Sequence, residues 1–445
     1  MPSIATSPLS LGEARVAVRT LSIEVMAGPD AGKRAEADTE RLTIGSANGN
    51  VLLLTDPTVS RFHLELARTD GGVSVTDLGS TNGTFVGGVQ IGQGIVPPET
   101  QLQLGRTLLR VFDGAGSTIA LHESDRLSDL LGATPAMRRL MAQVARVATV
   151  NVPVLLIGES GTGKELVARA LHEHSPRKNA PLVVVDCGAL APGVVMSELF
   201  GHERGAFTGA DRMHAGAFER AHGGTLFLDE IGELPPELQP QLLGALERRK
   251  FRRVGGQTDI AVDVRVVAAT NRDLRAEVNA GSFRLDLYHR LAVVEVRLPP
   301  LRERPEDIPL LVRHFLLECG HEGPMESVVS AEALDELKTH RWPGNVRELR
   351  NWVEATVAMG ESPELFRSEP SDAEPSDDAH LSMPYKDARN AVLHRFEQKY
   401  LTRLIAAANG NVSEAARRAK MDRSYLIKLL QRHHLKGADA PLGEG

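Results

Sequence analysis

The octapeptide GESGTGKE, Gly158 to Glu165, lies between an apolar run, VPVLLI, and a stretch of helical periodicity, KELVARALHEH. A strand that breaks into glycines and restarts as a helix narrows the folds open to the chain more than any other feature. The glycines let successive backbone N–H groups converge on one point, and the helix N-terminus adds positive potential there. The template GxxxxGK[ST] is met through Gly158, Gly163 and Lys164, with Glu165 in place of the hydroxyl residue. Gly158, Glu159, Ser160, Gly161, Thr162, Gly163, Lys164 and Glu165 are therefore candidates for binding nucleotide phosphates, with Lys164 reaching the β/γ oxygens. Without the hydroxyl, any Mg²⁺ must depend on other side chains. Alone, the same turn also suits a purely structural role.

The surroundings favour the phosphate reading. Across 130–360, apolar strands (VPVLLIG, PLVVVD, TLFLDE, VRVVAAT) alternate with helical stretches, a pattern of parallel α/β sheets. TLFLDEI ends in two acids at the carboxyl end of a buried strand, the end that faces ligands in such sheets. Asp229 there suits Mg²⁺ and Glu230 suits polarising a water, although two solvated acids would look the same. VRVVAATN ends in Thr270 and Asn271, placed to sense a γ-phosphate. FRLDLYHRL carries Arg284 and Arg290, candidates for the extra positive charge that phosphoryl transfer needs, with a salt bridge to Asp286 as the plainer alternative.

At 445 residues the chain is long for one core, and its composition shifts along its length. Residues 18–113 are rich in β-branched residues, glycine and turn pairs; LSIEV, RLTIG, HLELAR, VSVTDL, TFVGG and LLRVF read as short strands of an all-β sandwich. The Pro-, Ser- and acid-rich residues 361–385 read as a linker. Residues 386–436 read as helices only, and carry twelve Lys/Arg against four Asp/Glu, a net of +8. Such a basic block suits nucleic acid, or simply a solvated helical face. Two cysteines, Cys187 and Cys319, exclude a disulfide framework and the usual metal sites. No apolar run approaches the ~18–20 residues of a membrane span, and MPSIATSPLS lacks the basic and apolar regions of a secretory signal. A cytoplasmic location is expected.

With these residues in view, the chain resembles the NtrC-like AAA+ activators of sigma-54 RNA polymerase. The matching segments are GESGTGKE, ELFGHERGAFTGA, GGTLFLDEIGELP, RVVAATNRDL, FRLDLYHRL, LPPLRERPEDI and WPGNVRELRN, together covering essentially all of 130–360. The resemblance implies an α/β P-loop ATPase with an α-helical lid, using ATP and Mg²⁺. It assigns Asp229 and Glu230 to metal and water, Asn271 and Arg347 to nucleotide sensing, and Arg284 and Arg290 to intersubunit arginine fingers. Active sites would then lie between protomers of a ring, typically a hexamer. It also gives a role to Gly205, Ala206, Phe207, Thr208, Gly209 and Ala210 as a loop that contacts sigma-54; from the residues alone, a β-turn with Phe207 in the core is the simpler reading. One position departs: Asp186 stands where the family usually has Asn, and a carboxylate cannot donate the amide hydrogen bond.

Both ends carry further resemblances. Val392, Phe396, Tyr400 and Leu404 form a helical stripe, and Asn411 with Glu414 makes a capping-box-like start. NVSEAARRAKMDRSYLIKLLQRHHL resembles a Fis-type helix-turn-helix, which implies enhancer DNA as a partner and Arg423, Ser424, Tyr425 and Lys428 as contacts. A helical hairpin serving oligomerisation is the alternative. TVSRFHLEL and DLGSTNGTFVGG resemble the forkhead-associated (FHA) domain, a β-sandwich that binds phosphothreonine. This implies phosphopeptide contacts at Ser60, Arg61, Thr81 and Asn82, loops held together by His63 and Gly83, and a phosphothreonine protein or Ser/Thr kinase as partner. Ser46 replaces the family's usual phosphate-binding Arg, which leaves a phosphate-independent protein contact open. For the whole chain, the competing functions are an ATP-driven activator of sigma-54 holoenzyme, a phosphopeptide scaffold with a degenerate ATPase, and a generic AAA+ remodeller.

Overall fold

The computed structural model describes residues 15–37, 41–69, 71–188 and 192–360, and, in the C-terminal part, 401, 404, 412–419, 421, 426 and 430. Residues 1–365 form one compact unit and 366–445 a second.

Alternating apolar residues build the N-terminal sandwich. Among the described residues, one sheet has the order Arg34–Glu36, Arg15–Ala27, Thr107–Ala120, Gln101–Leu104, Thr84–Val86, Val89–Ile91. The other has the order Leu52–Leu53, Arg41–Gly45, Leu64–Thr69, Gly72–Asp77, Gln93–Val96. The period of two turns Leu21, Ile23, Val25, Leu64, Leu66, Val73, Val75, Leu109 and Val111 into one shared core. The pairing of Arg15–Ala27 with Thr107–Ala120 begins at Arg15↔Ala120, so this ladder outruns the span 18–113.

The α/β part is organised by strands buried on both faces. Their order is Leu182–Asp186, Thr225–Asp229, Arg265–Thr270, Val154–Ile157, Val294–Arg297, all parallel. Register places Asp186 beside Asp229 at the carboxyl end. Helix Pro135–Ala148 covers one face with Met137, Leu140, Met141, Val144 and Val147, and Thr134 caps it by accepting from Met137 N. Arg265, almost fully buried, donates to the carbonyls of Val147 (3.0 Å), Ala148 (2.9 Å) and Leu171 (3.4 Å). It thereby satisfies the C-terminal ends of two helices at once.

Beyond the sheet, Ile308–Glu318, Ala331–Thr339 and Asn345–Met359 pack around Leu311, Phe315, Trp342 and Trp352 as a helical lid. In the second unit, helix Val412–Ala419 contributes Val412, Ala415 and Ala416 to an apolar cluster with Leu401, Leu426 and Leu430. The linker 361–385, the residues Val392, Phe396, Tyr400 and Asn411, and the candidate DNA contacts Arg423, Ser424, Tyr425 and Lys428 lie outside the described residues.

Candidate nucleotide site

The glycine turn follows Val154–Ile157 and opens helix Lys164–Glu173. Gly161 and Gly163 have φ of +76° and +104°, a region that L side chains avoid. Space makes the same demand: a Cβ on Gly161 would lie 2.2 Å from the carbonyl oxygen of Gly344. The turn borders a cavity of about 440 Å³, lined by Ser160, Gly161, Thr162, Gly163, Lys164, Glu165, Asp229 and Glu230 and, from the lid, Arg304 and Arg347. Gly158, Glu159 and Asn271 do not line it. Glu165 faces it while paired to Arg169 at 2.7 Å.

Lys164, 7% exposed, donates to the Gly158 carbonyl (3.0 Å) and to Glu230 Oε1 (3.2 Å). Glu230 adopts φ of +47°, and its other oxygen accepts from the Asn271 backbone N–H at 3.2 Å. The Asn271 side chain itself is exposed. Burial, followed by the charges of Glu230 and Asp186, pushes the Asp229 carboxyl above its ordinary range despite a hydrogen bond from Glu230 N and the nearby Lys164. Asp229 and Glu230 thus put negative charge in a half-buried place beside the glycine turn, while no group of three or more acid, histidine or cysteine side chains among the described residues is arranged to hold a metal ion by itself. Asp186 Oδ1 accepts from Gly188 N at 2.8 Å. Burial and the two neighbouring aspartates push the Cys187 thiol up to about 12, leaving it inert.

The lid grips the turn directly. Arg302 pairs with both oxygens of Glu159 (2.8 and 2.7 Å) and holds that carboxyl below its usual range. Asn345 donates to Glu159 (3.1 Å) and to the Ser160 carbonyl (3.0 Å), and accepts from Leu301 N–H. Arg347 reaches Ser160 Oγ at 3.2 Å. Arg304, 2% exposed, donates to the Thr162 carbonyl at 3.3 Å, and its Nε has no partner.

Arg284 and Arg290 do not line this cavity. Arg284 is half-exposed and forms the bidentate pair with Asp286 (3.0 and 2.7 Å). Arg290 donates to the Leu246 carbonyl at 2.8 Å and borders a separate cavity of about 80 Å³.

Two other candidate sites lie apart. In the hexapeptide loop, Gly205 N–H donates to the Ala210 carbonyl (2.8 Å), and Gly205 and Gly209 have φ of +81° and +98°. Ala206 is half-buried and Ala210 buried, whereas Thr208 is exposed at the tip. Phe207 is 46% exposed and leans edge-on against His202, 4.9 Å between ring centres. It is not a core residue. In the sandwich, Arg61, Thr81 and Asn82 are exposed and Ser60 half-buried. Ser60 Oγ accepts from Thr81 N–H at 3.0 Å, and Asn82 donates to the Thr58 carbonyl at 2.8 Å. His63, wholly buried, accepts from Ser60 N–H at Nδ1 (3.1 Å), which leaves Nε2 to donate to the Gly83 carbonyl (3.2 Å). Ser46 donates to the Val59 carbonyl at 3.0 Å.

Three segments of the chain match known protein families. Residues 130–297 match the Sigma-54 interaction domain, 302–372 the AAA+ ATPase lid domain, and 24–114 the cytoplasmic domain of an inner membrane component of T3SS. The DNA-binding transcriptional regulator NtrC of Bradyrhizobium sp. (strain RP501 Parasponia) is 42% identical over 356 residues, covering 74% of each chain. The chain belongs to the NtrC family of transcriptional regulators. NtrC of Azospirillum brasilense is 47% identical over 285 residues, 64% of this chain, which spans 59% of that relative's length. A solved structure of NtrX from Brucella abortus in complex with ATP has a TM-score of 0.51 and 38% identity, covering 70% of this chain and 71% of that one. Among the described residues, no helix is long and apolar enough to cross a membrane.

Within this NtrC-family fold, the residues that reading the sequence missed are Arg302, Arg304 and Asn345. They sit in LPPLRERPEDI and WPGNVREL, segments recognisable by resemblance, yet nothing local in them signals a partner ~140–190 positions upstream.

Proposed function

We propose that the chain is an ATP-driven activator of sigma-54 RNA polymerase, assembling as a ring, typically a hexamer, on enhancer DNA. What carries this reading is one pairing: a built phosphate cradle backed by Lys164, Asp229 and Glu230, and, elsewhere on the same domain, a glycine-hinged tip that presents Phe207 and Thr208 to solvent. A degenerate ATPase would have no reason to keep Lys164 in hydrogen-bond contact with Glu230. A generic remodeller would not need an exposed aromatic in that loop.

ATP is the substrate, and Mg²⁺ at Asp229 would supply positive charge that γ-phosphoryl transfer to water demands. Before phosphate arrives, Glu230 is held by Lys164 and by Asn271 N–H. Phosphate competes for Lys164, which releases one Glu230 oxygen to polarise water. Because Arg302, Asn345 and Arg347 hold the glycine turn, movement there is transmitted to the lid. Arg284 and Arg290, outside their own cavity, are available to a neighbouring protomer's nucleotide as arginine fingers. Asp186→Asn restores an amide next to Asp229 and changes the ratio of ATP turnover to promoter opening; equal ratios in both forms would reject that role.

The N-terminal sandwich, in this reading, binds a phosphothreonine segment of a partner or kinase through Ser60, Arg61, Thr81 and Asn82, and the basic C-terminal block binds DNA through Arg423, Ser424, Tyr425 and Lys428. The cell interior is the expected location. Lys164→Ala tests the core of the proposal: it abolishes both ATP hydrolysis and open-complex formation on a sigma-54 promoter, and retention of opening would refute it.

A further inference from the structure

The recognition end of the sandwich is turned toward its own ATPase. Ala47, Phe62 and Leu78 are buried with Val278, Phe283, Leu287 and Tyr288 in the α/β apolar cluster, and not in the sandwich core. Phe62 has no exposed surface, meets Tyr288 edge-on at 5.1 Å, and lies 5.8 Å beneath the Arg275 guanidinium. Asn279 donates to the carbonyls of Phe62 (2.5 Å) and Leu78 (2.8 Å), the residues from which both candidate phosphopeptide loops spring. Arg61 donates to the Val278 carbonyl at 3.4 Å. The third loop joins them, for a Cβ on Gly49 would sit 3.4 Å from the His289 ring. Alongside, Glu65 accepts from Arg275 and Arg297, each at 3.0 Å. A buried aromatic plug beside paired charges is the anatomy of a specific interface.

We infer that this loop face has two mutually exclusive occupants, the helix pair Leu274–Ala280 and Leu285–Leu291 of its own ATPase and an external phosphothreonine segment, with Arg61 and Phe62 committed to one or the other. The inference rests on the phosphothreonine reading above. Arg61 is the cation that reading assigns to phosphate, and it is engaged here with a backbone carbonyl on the ATPase. A peptide laid across the loops at 46–50, 58–63 and 78–83 meets the two helices. Tyr288 and His289 lie between Arg284 and Arg290 in sequence, so the exchange frees two helix residues that Arg284 and Arg290 flank.

Isothermal calorimetry on the full chain tests this, using a degenerate peptide library centred on phosphothreonine with unphosphorylated controls. Asn279→Ala removes the grip from the ATPase side without altering the sandwich, and Arg275→Gln is a second variant of the same kind. Exclusion predicts that both bind the phosphorylated library at least about fivefold more tightly than wild type, the lower range of coupling between linked sites. Equal or weaker binding by folded variants overturns the exclusion and leaves the phosphothreonine reading standing. No phosphate-dependent binding by any of the three proteins overturns that reading, and the inference with it.

Discussion

Asp229 shows how a proposed catalytic side chain opposes the fold that holds it. Its folded pKa is raised, first by burial and then by neighbouring acids, so the ionised form is penalised in the native state relative to the unfolded chain. That penalty is present at neutral pH and is relieved as pH falls through the raised folded value. Asp229→Asn, measured without nucleotide or metal, is expected to raise the denaturant midpoint at pH 7 and to narrow its difference from pH 5, while ATP hydrolysis is lost. Arg265 is the opposite case: its charge is buried, but three helix-end carbonyls depend on it. Arg265→Met should cost about 3 kcal/mol in urea unfolding, because the carbonyls lose a charged donor. Asp229 was visible in the sequence as an acid ending an apolar strand. Arg265 was not, because an arginine opening the strand RVVAAT gives no local sign that its partners are helix ends 94 to 118 positions away.

Among the elements, the lid is the least locally encoded. Its helices follow from apolar periodicity, but its purpose depends on the Glu159–Arg302–Asn345 contacts that join it to the glycine turn. Asn345→Ala should weaken ATP binding about tenfold, the equivalent of one net hydrogen bond to a charged group, with calorimetry as the measurement. Both tryptophans of the chain, Trp342 and Trp352, lie in the lid core. Intrinsic fluorescence therefore reports the lid specifically, and an emission change on adding ATP should be present in wild type and diminished in Asn345→Ala. The sandwich strands were more legible, since alternation of buried residues is a local pattern: RLTIG coincides with Arg41–Gly45 and VSVTDL overlaps Gly72–Asp77. The hexapeptide loop lies between these extremes. Its glycines announced a turn, but whether Phe207 points inward or outward is decided by tertiary packing against His202.

At the scale of the molecule, the α/β domain is flanked in sequence by two modules whose proposed ligands differ, phosphothreonine for the N-terminal one and DNA for the C-terminal one. Composition distinguishes three blocks of sequence, because strand alternation, strand–helix alternation and a basic helical segment differ in period and charge. It did not reveal that Phe62, within a motif read as peptide recognition, is a core residue of the ATPase cluster. Contacts between segments more than 200 positions apart leave no periodic signal. Deleting the sandwich would uncover Val278 and Tyr288, so a chain beginning near residue 122 should aggregate more readily than the full chain, as sedimentation would show. The central claim, that ATP hydrolysis at Lys164 and Glu230 is delivered through Phe207 and Thr208 to sigma-54, is tested most directly by Thr208→Ala. ATP turnover and open-complex formation on a sigma-54 promoter should be measured together. The prediction is near-normal hydrolysis with open complexes reduced at least about tenfold; a variant that hydrolyses ATP and opens the promoter like wild type would contradict it.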